Sequence, residues 1–416
     1  MRLLNRISNA RFWRAKLFGV PRMPLMRFLR RSIALTLLPA LVLALCALSV
    51  VGDAREAARQ KHIFYVGTYT DRGSKGIYAY RFDSATGEST SLGLAVESTA
   101  PSFLAIAPSG QFLYAVNEIS QFNGQPTGAV SAFAIEPKSA KLTLLNQVPS
   151  RGEGPAHIAL DRSGKYALVS NYDRGSIAVF PVMQDGRLRE ATAFMQHKGS
   201  SVNKERQEGP HAHAAVFSPD NRFVIVADLG LDQLLVYRFD AARGTLSSDP
   251  QIVRAVPGAG PRHLAFDAAG RHLYVINEMQ SSVVAYGYDA ANGTLSELQI
   301  VSALPKGFAR TSEAAEIEIH SSGKFLFASN RGDDSIAVFA INPKDGTLTP
   351  VEIESTGGKT PRNFVLDPTG AWLLAANQDS DDIVIFRVDP STGHLTRSGP
   401  ELHVPSPVCV RFVPEP

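Results

Sequence analysis

The sequence predicts an all-β fold, a seven-bladed β-propeller closed by its N- and C-terminal strands and preceded by an N-terminal export segment. Three observations predict it. A phrase of about fifty residues recurs along the chain, each copy holds strand-sized segments, and the two ends of the array are complementary halves of one further copy.

The first 54 residues stand apart. They hold nine Lys/Arg and a single acid, Asp53, and the run from Ser32 to Gly52 is almost wholly apolar behind Arg27, Arg30 and Arg31. A basic region, an apolar stretch and a polar flank with small residues describe a secretory signal. The run is also long enough to span a bilayer, so an uncleaved anchor is the rival reading. The expectation is an exported protein, periplasmic or extracellular, which touches a membrane only if this segment is retained.

The 416 residues include 42 basic and 39 acidic side chains, a formal charge of +3. Beyond residue 54 there are 33 basic and 38 acidic residues, a net charge of −5. A mildly acidic body lacks the basic footprint of a general nucleic-acid binder. The two cysteines, Cys46 and Cys409, fall on opposite sides of this division, which leaves no internal disulfide framework. Cys409 lies in the apolar segment Val408–Val413 and reads as a small buried hydrophobe.

One copy of the repeat runs Pro261-Arg-His-Leu-Ala-Phe-Asp-Ala-Ala-Gly270, continues to Asn277-Glu278, and then through Ser282–Asp289 to Gly293-Thr-Leu295. Copies open at Pro101, Pro155, Pro210, Pro261, Ala314, Pro361 and Pro407, at spacings of 46 to 55 residues. The first segment is short and apolar. It ends in a turn bearing Gly110, Gly164, Gly270 or Gly370, where glycine accepts a positive φ. The second is rich in Val, Leu, Ile and Tyr and closes on Asn117, Asn171, Asn277, Asn330 or Asn377. The third alternates with period 2, as in Ser335–Asn342, before a Gly-x-Leu turn. Residues 63–90 read as the later strands of a blade without a first, and 408–413 as a first strand without followers. Joined, they complete the seventh blade, close the ring over residues 62–413 and remove its exposed edges.

Meander order brings two sets of residues to one mouth of the central channel, those opening each first strand and those leaving each second strand. By blade these are Ser102 with Glu118, His157 with Tyr172, His211 and His213 with Asp228, Arg262 and His263 with Glu278, Glu316 with Arg331, and Arg362 and Asn363 with Gln378. Four of the ten histidines crowd these positions. Polar and ionisable groups converging on a concave mouth define the candidate site.

These residues carry a resemblance. Tyr65-Val-Gly-Thr-Tyr-Thr70, Gly209-Pro-His-Ala-His213, Gly260-Pro-Arg-His263, Asn277-Glu278 and Ser329-Asn-Arg-Gly332 resemble the seven-bladed lactonase family over nearly all of residues 62–413. That family includes 6-phosphogluconolactonases and a fungal branch that closes muconate to a lactone. The resemblance implies hydrolysis of a sugar-acid or related lactone, with neither metal nor other cofactor. The fungal branch uses a His, an Arg, a Glu sixteen residues later and a second Arg. The matching positions are His213 (or its neighbour His211), Arg262, Glu278 and Arg331. Substrate contacts are expected from His157, His211, Asp228, His263, Glu316 and Asn330. One departure counts against the family's standard substrate, since 6-phosphogluconolactone is cytosolic and this chain carries an export segment.

A lactone is an internal ester, so opening it needs an activated water and stabilisation of an oxyanion. His213 is the expected general base, with His211 and Glu278 as rivals. Glu278 is expected to orient His213 or to donate a proton, and Arg262 and Arg331 to clamp a carboxylate or phosphate. Gly-x-Ser-x-Gly, Walker and dinucleotide motifs do not occur. His211 and His213 with Asp228 lack a further obvious ligand, so no metal is expected. Two other readings stand beside lactone hydrolysis: a non-catalytic exported binding scaffold, and a muconate-type lactonizing isomerase using the same residues.

Overall fold

The computed structural model describes residues 61–414, and the expected export segment at 1–54 lies outside the described residues. Seven antiparallel sheets form the seven blades, and no helix occurs among the described residues. The innermost strands of blades one to six are Phe103–Ile106, Pro155–Leu160, Ala212–Phe217, Pro261–Phe266, Glu313–Ile319 and Pro361–Leu366. Blade seven takes its inner strand, Pro407–Phe412, from the C-terminus. Its other three strands, Lys61–Thr68, Gly76–Asp83 and Glu88–Glu97, come from the start of the described chain. Phe64 pairs with Phe412 and Val66 with Val410, so main-chain hydrogen bonds close the ring as the repeat arithmetic requires. Each inner strand packs against those of the neighbouring blades, the last against the first.

Alternating apolar residues fill the gaps between blades. Phe64, Val66 and Phe82 of blade seven share a core with Val365, Trp372 and Leu374 of blade six. The Trp372 indole N–H donates to the Ser84 carbonyl at 2.8 Å, which gives the buried ring nitrogen a partner across that gap. The Gly-x-Leu turns serve the same contacts. Gly293 has a φ of 74°, and a Cβ there would stand 2.4 Å from the Phe223 ring of blade three. Both the turn and the close approach therefore require glycine.

The inner strands carry the feature that builds the site. Where the strand leaves the mouth, its register against the second strand slips by one residue in blades two to seven. A β-bulge puts two residues opposite one, so consecutive side chains reach the same side instead of alternating. Arg262 is the extra residue between the pairs Pro261–Asn277 and His263–Ile276. His213 is the extra residue between Ala212–Asp228 and Ala214–Ala227.

Candidate active site

A small cavity opens at the channel mouth. Its wall includes the bulge residues His213, Arg262 and Arg362, with His263, Phe103 and Glu118 beside them. Arg262 and His263 are neighbours in sequence and both line it, as the bulge demands.

Glu278 is the hub of the charges. Its carboxylate takes Arg262 Nε at 2.9 Å and Arg331 Nη2 at 2.8 Å on one oxygen, and Arg206 Nη2 at 2.5 Å on the other. Arg262 also donates to the Ala315 carbonyl at 2.6 Å and is 2% exposed. Burial alone would raise Glu278, but Arg331, Arg262 and Arg206 outweigh it and hold the carboxyl well below its ordinary range. Glu278 is therefore ionised at neutral pH and has no proton to donate.

His213 Nε2 stands 4.0 Å from Glu278, beyond hydrogen-bond distance, and its Nδ1 is buried without a partner among the described residues. Burial first, then Arg262, His263 and Arg362, press His213 well below its ordinary value, so its imidazole is neutral. Arg362 stacks over the Tyr69 ring at 5.4 Å. Among the described residues no carboxylate lies within 4.0 Å of its guanidinium, in contrast to Arg206, Arg262 and Arg331.

The remaining expected residues divide. His157, His263 and Glu316 lie at the channel, with the His157 and His263 rings 5.4 Å apart and His263 Nδ1 2.8 Å from Glu316. His211 sits outside the bulge ring. Its ring stacks on Tyr172 at 4.6 Å, and its Nδ1 meets the Tyr172 carbonyl at 2.9 Å. Asp228 is turned into its blade. One oxygen accepts the main-chain N–H groups of His211 and Leu231, and the other meets His197 Nδ1 at 2.6 Å. The buried Asn330 amide likewise has interior partners, donating to Ala303 O and Ser335 Oγ. The Asp228 side chain is thus held by two main-chain N–H groups and His197, and that of Asn330 by a main-chain carbonyl and Ser335, at the ends of their strands.

Two residues of the site escape the repeat pattern. Arg206 rides on the connection between Ala193–Gln196 and Ala212–Phe217, where the Asn203 side chain accepts the N–H groups of Glu205 and Arg206 and shapes a tight turn. Glu313, at the end of its inner strand, ties Arg206 Nη1 at 2.5 Å and Arg331 Nη2 at 3.6 Å. The only sequence signal for Arg206 is that this connection is long for one between blades.

The described residues form a closed ring of seven blades whose mouth is lined by arginines and histidines. The family model described as "Lactonase, 7-bladed beta-propeller" matches residues 63–412, and the chain belongs to that family. It is 38% identical over 353 residues to a 6-phosphogluconolactonase of Bacillus subtilis, covering 85% of this chain and 99% of that one. A 6-phosphogluconolactonase of Formosa agariphila is 38% identical over 310 residues, covering 73% and 86% respectively. Among solved structures, the periplasmic gluconolactonase of Pseudomonas aeruginosa superposes with a TM-score of 0.80 at 35% identity, covering 86% of this chain and all of that one.

Proposed function

We propose that the chain is a lactonase that hydrolyses a sugar-acid or related lactone at the channel mouth by metal-independent acid–base catalysis. One observation carries the reading: a neutral, buried His213 shares a small cavity with two arginines, one of which, Arg362, has no carboxylate partner among the described residues. Family membership and the activities named for its relatives support it.

The charges suit the task. Arg362 receives the acidic group of the substrate, and Arg262 the oxygen that turns negative when water attacks the carbonyl. His213 exchanges protons with the reacting oxygens. In the empty site the neighbouring guanidiniums weaken it as a base, and a bound anion offsets them. Glu278, fixed by three arginines, holds Arg262 and Arg331 in place and takes no proton. Export is part of the same proposal, supported by the basic–apolar–polar order of the N-terminal sequence and by the location named for the Pseudomonas relative.

The test is proton release by the purified full-length protein from 6-phosphogluconolactone, gluconolactone and muconolactone, with spontaneous hydrolysis subtracted. Turnover is expected on at least one, falling about 100-fold or more in His213→Ala. Folded protein that opens none of them overturns the reading in favour of a binding scaffold.

A further inference from the structure

One step further into the channel from the bulge ring, four blades are joined by a chain of side chains. The Val410 N–H donates to Asn363 Oδ1 at 2.8 Å, and Asn363 Nδ2 donates to Glu316 Oε2. Glu316 Oε1 meets His263 Nδ1 at 2.8 Å and accepts the Ile317 N–H at 3.1 Å, while Arg411 approaches Oε2 at 3.7 Å. Every atom of the Glu316 carboxylate is held. At the other end, His263 Nε2 is buried with no hydrogen-bond partner among the described residues, in a ring that lines the cavity. The His213 ring lies 5.1 Å away.

An ionised carboxylate at Nδ1 fixes the tautomer, with the proton on Nδ1 and the lone pair on Nε2. His263 is thus the histidine here whose free nitrogen is an acceptor by construction. His213 lacks such an orienter, because Glu278 stands 4.0 Å from it. A base held by a third group is the arrangement that makes proton abstraction efficient.

Resting on the lactonase reading, we propose that His263, oriented by Glu316, takes the proton from the attacking water, and that His213 relays it to the departing ring oxygen. As His263 Nε2 gains the proton, the water oxygen bonds to the carbonyl carbon and the carbonyl π pair moves onto its oxygen. When that pair returns, the ring C–O bond breaks. The ring oxygen keeps the bonding electrons and receives the proton through His213, which accepts at one ring nitrogen and gives up from the other. The sum is lactone plus water to hydroxy acid, with both histidines restored. Glu316 acts through His263 and is a positioning residue.

The groups facing His263 set the pH behaviour: Arg262 on its own strand, Glu316 and Arg411 from blades five and seven, and the rings of His157 and His213. Burial first, with Arg262 and Arg411, lowers its affinity for protons, and Glu316 pulls it back up. Removing the Glu316 charge therefore moves the acid limb of kcat/KM to lower pH.

The experiment compares wild type, Glu316→Gln and His263→Gln at full length on the lactone that the wild type opens best, with circular dichroism to confirm folding. Nitrogen-15 spectra of labelled histidine report the tautomer. In Glu316→Gln, kcat falls about 100-fold with KM within about threefold, the acid limb moves down, and the Nδ1-protonated signal is lost. His263→Gln loses at least as much kcat. Should one variant fail to fold, the other decides. Retention of kcat within threefold, or an unmoved acid limb, overturns the proposal. If wild type opens no lactone, the lactonase reading fails by that result alone, and an Nδ1-protonated His263 that Glu316→Gln abolishes still establishes the oriented base.

Discussion

His213 and Arg262 occupy the same place in successive blades: each is the unpaired residue of a β-bulge where the inner strand leaves the mouth. In a regular strand each would alternate with its neighbours and half of this chemistry would face the blade core. The bulge turns a packing layer into a lining layer. Arg362 is the unpaired residue of blade six, between the pairs Pro361–Asn377 and Asn363–Ala376, and so belongs to the same ring.

That equivalence gives Arg362 a separable role. Arg206, Arg262 and Arg331 each have Glu278 as a carboxylate partner, whereas Arg362 lies over Tyr69 with no carboxylate within 4.0 Å among the described residues. Arg362→Ala is expected to raise KM for a phosphorylated lactone about 10- to 100-fold, the worth of one charged hydrogen bond. The KM for uncharged gluconolactone should change far less. Equal effects on both substrates in steady-state kinetics would refute the assignment.

Glu278 is the carboxylate shared by Arg206, Arg262 and Arg331, with Glu313 as a second partner of Arg206 and Arg331. Glu278→Gln keeps the shape but leaves Arg206, Arg262 and Arg331 converging on an uncharged amide in a buried place. Breaking a buried pair by removing one partner costs roughly 3–5 kcal/mol. Urea unfolding should show a loss of that size together with lost activity, and a stability unchanged within about 1 kcal/mol would mean that the arginines find other partners.

The ring closure and the blade count were legible because strand periodicity and turn glycines repeat. The complementary ends, Tyr65-Val-Gly-Thr and Val408–Val413, could be matched by pattern alone. The site was legible only in part. Counting from Pro210 and from Pro261 sets His211 level with Arg262, but strand pairing puts Ala212 opposite Asp228 as Pro261 is opposite Asn277, a shift of two residues. Register is decided by main-chain pairing and bulges, which a linear motif does not count. Arg206 was invisible for a different reason: it reaches Glu278 from a connection outside the repeat, across 72 positions. For Asp228 and Asn330 the sequence could not separate two roles, because a polar residue ending a strand looks the same whether it meets substrate or satisfies backbone.

Asn330 offers a direct check on that last point. Its amide donates to Ala303 O and Ser335 Oγ in the interior. Asn330→Ala should cost about 1–3 kcal/mol through the unsatisfied carbonyl, with kcat and KM of the remaining folded enzyme unchanged. A selective rise in KM without loss of stability would return Asn330 to the substrate.

Acid should weaken the fold before it protonates ordinary carboxylates. His157, His213 and His263 are held below their unfolded value of 6.5, chiefly by burial. Above that pH neither state is protonated there. As pH falls below it, the unfolded chain binds protons that the folded one refuses, and stability drops. Glu318 opposes this. Burial raises it to about 7, so between pH 7 and its unfolded 4.5 the folded state gains a proton that the unfolded state lacks. Three protons against one leave a net of about two, or a slope of roughly 2–3 kcal/mol per pH unit at its steepest, between about pH 6 and 5. Below pH 4.5 the depressed carboxyls Glu278 and Glu316 add to the loss. Unfolding free energies from urea titrations at pH 7.5, 6 and 5 should follow that course, and Glu318→Gln should steepen it by removing the opposing proton. A stability that rises as pH falls across this window would mean that the three histidines take up their protons in the folded channel, leaving only the Glu318 contribution.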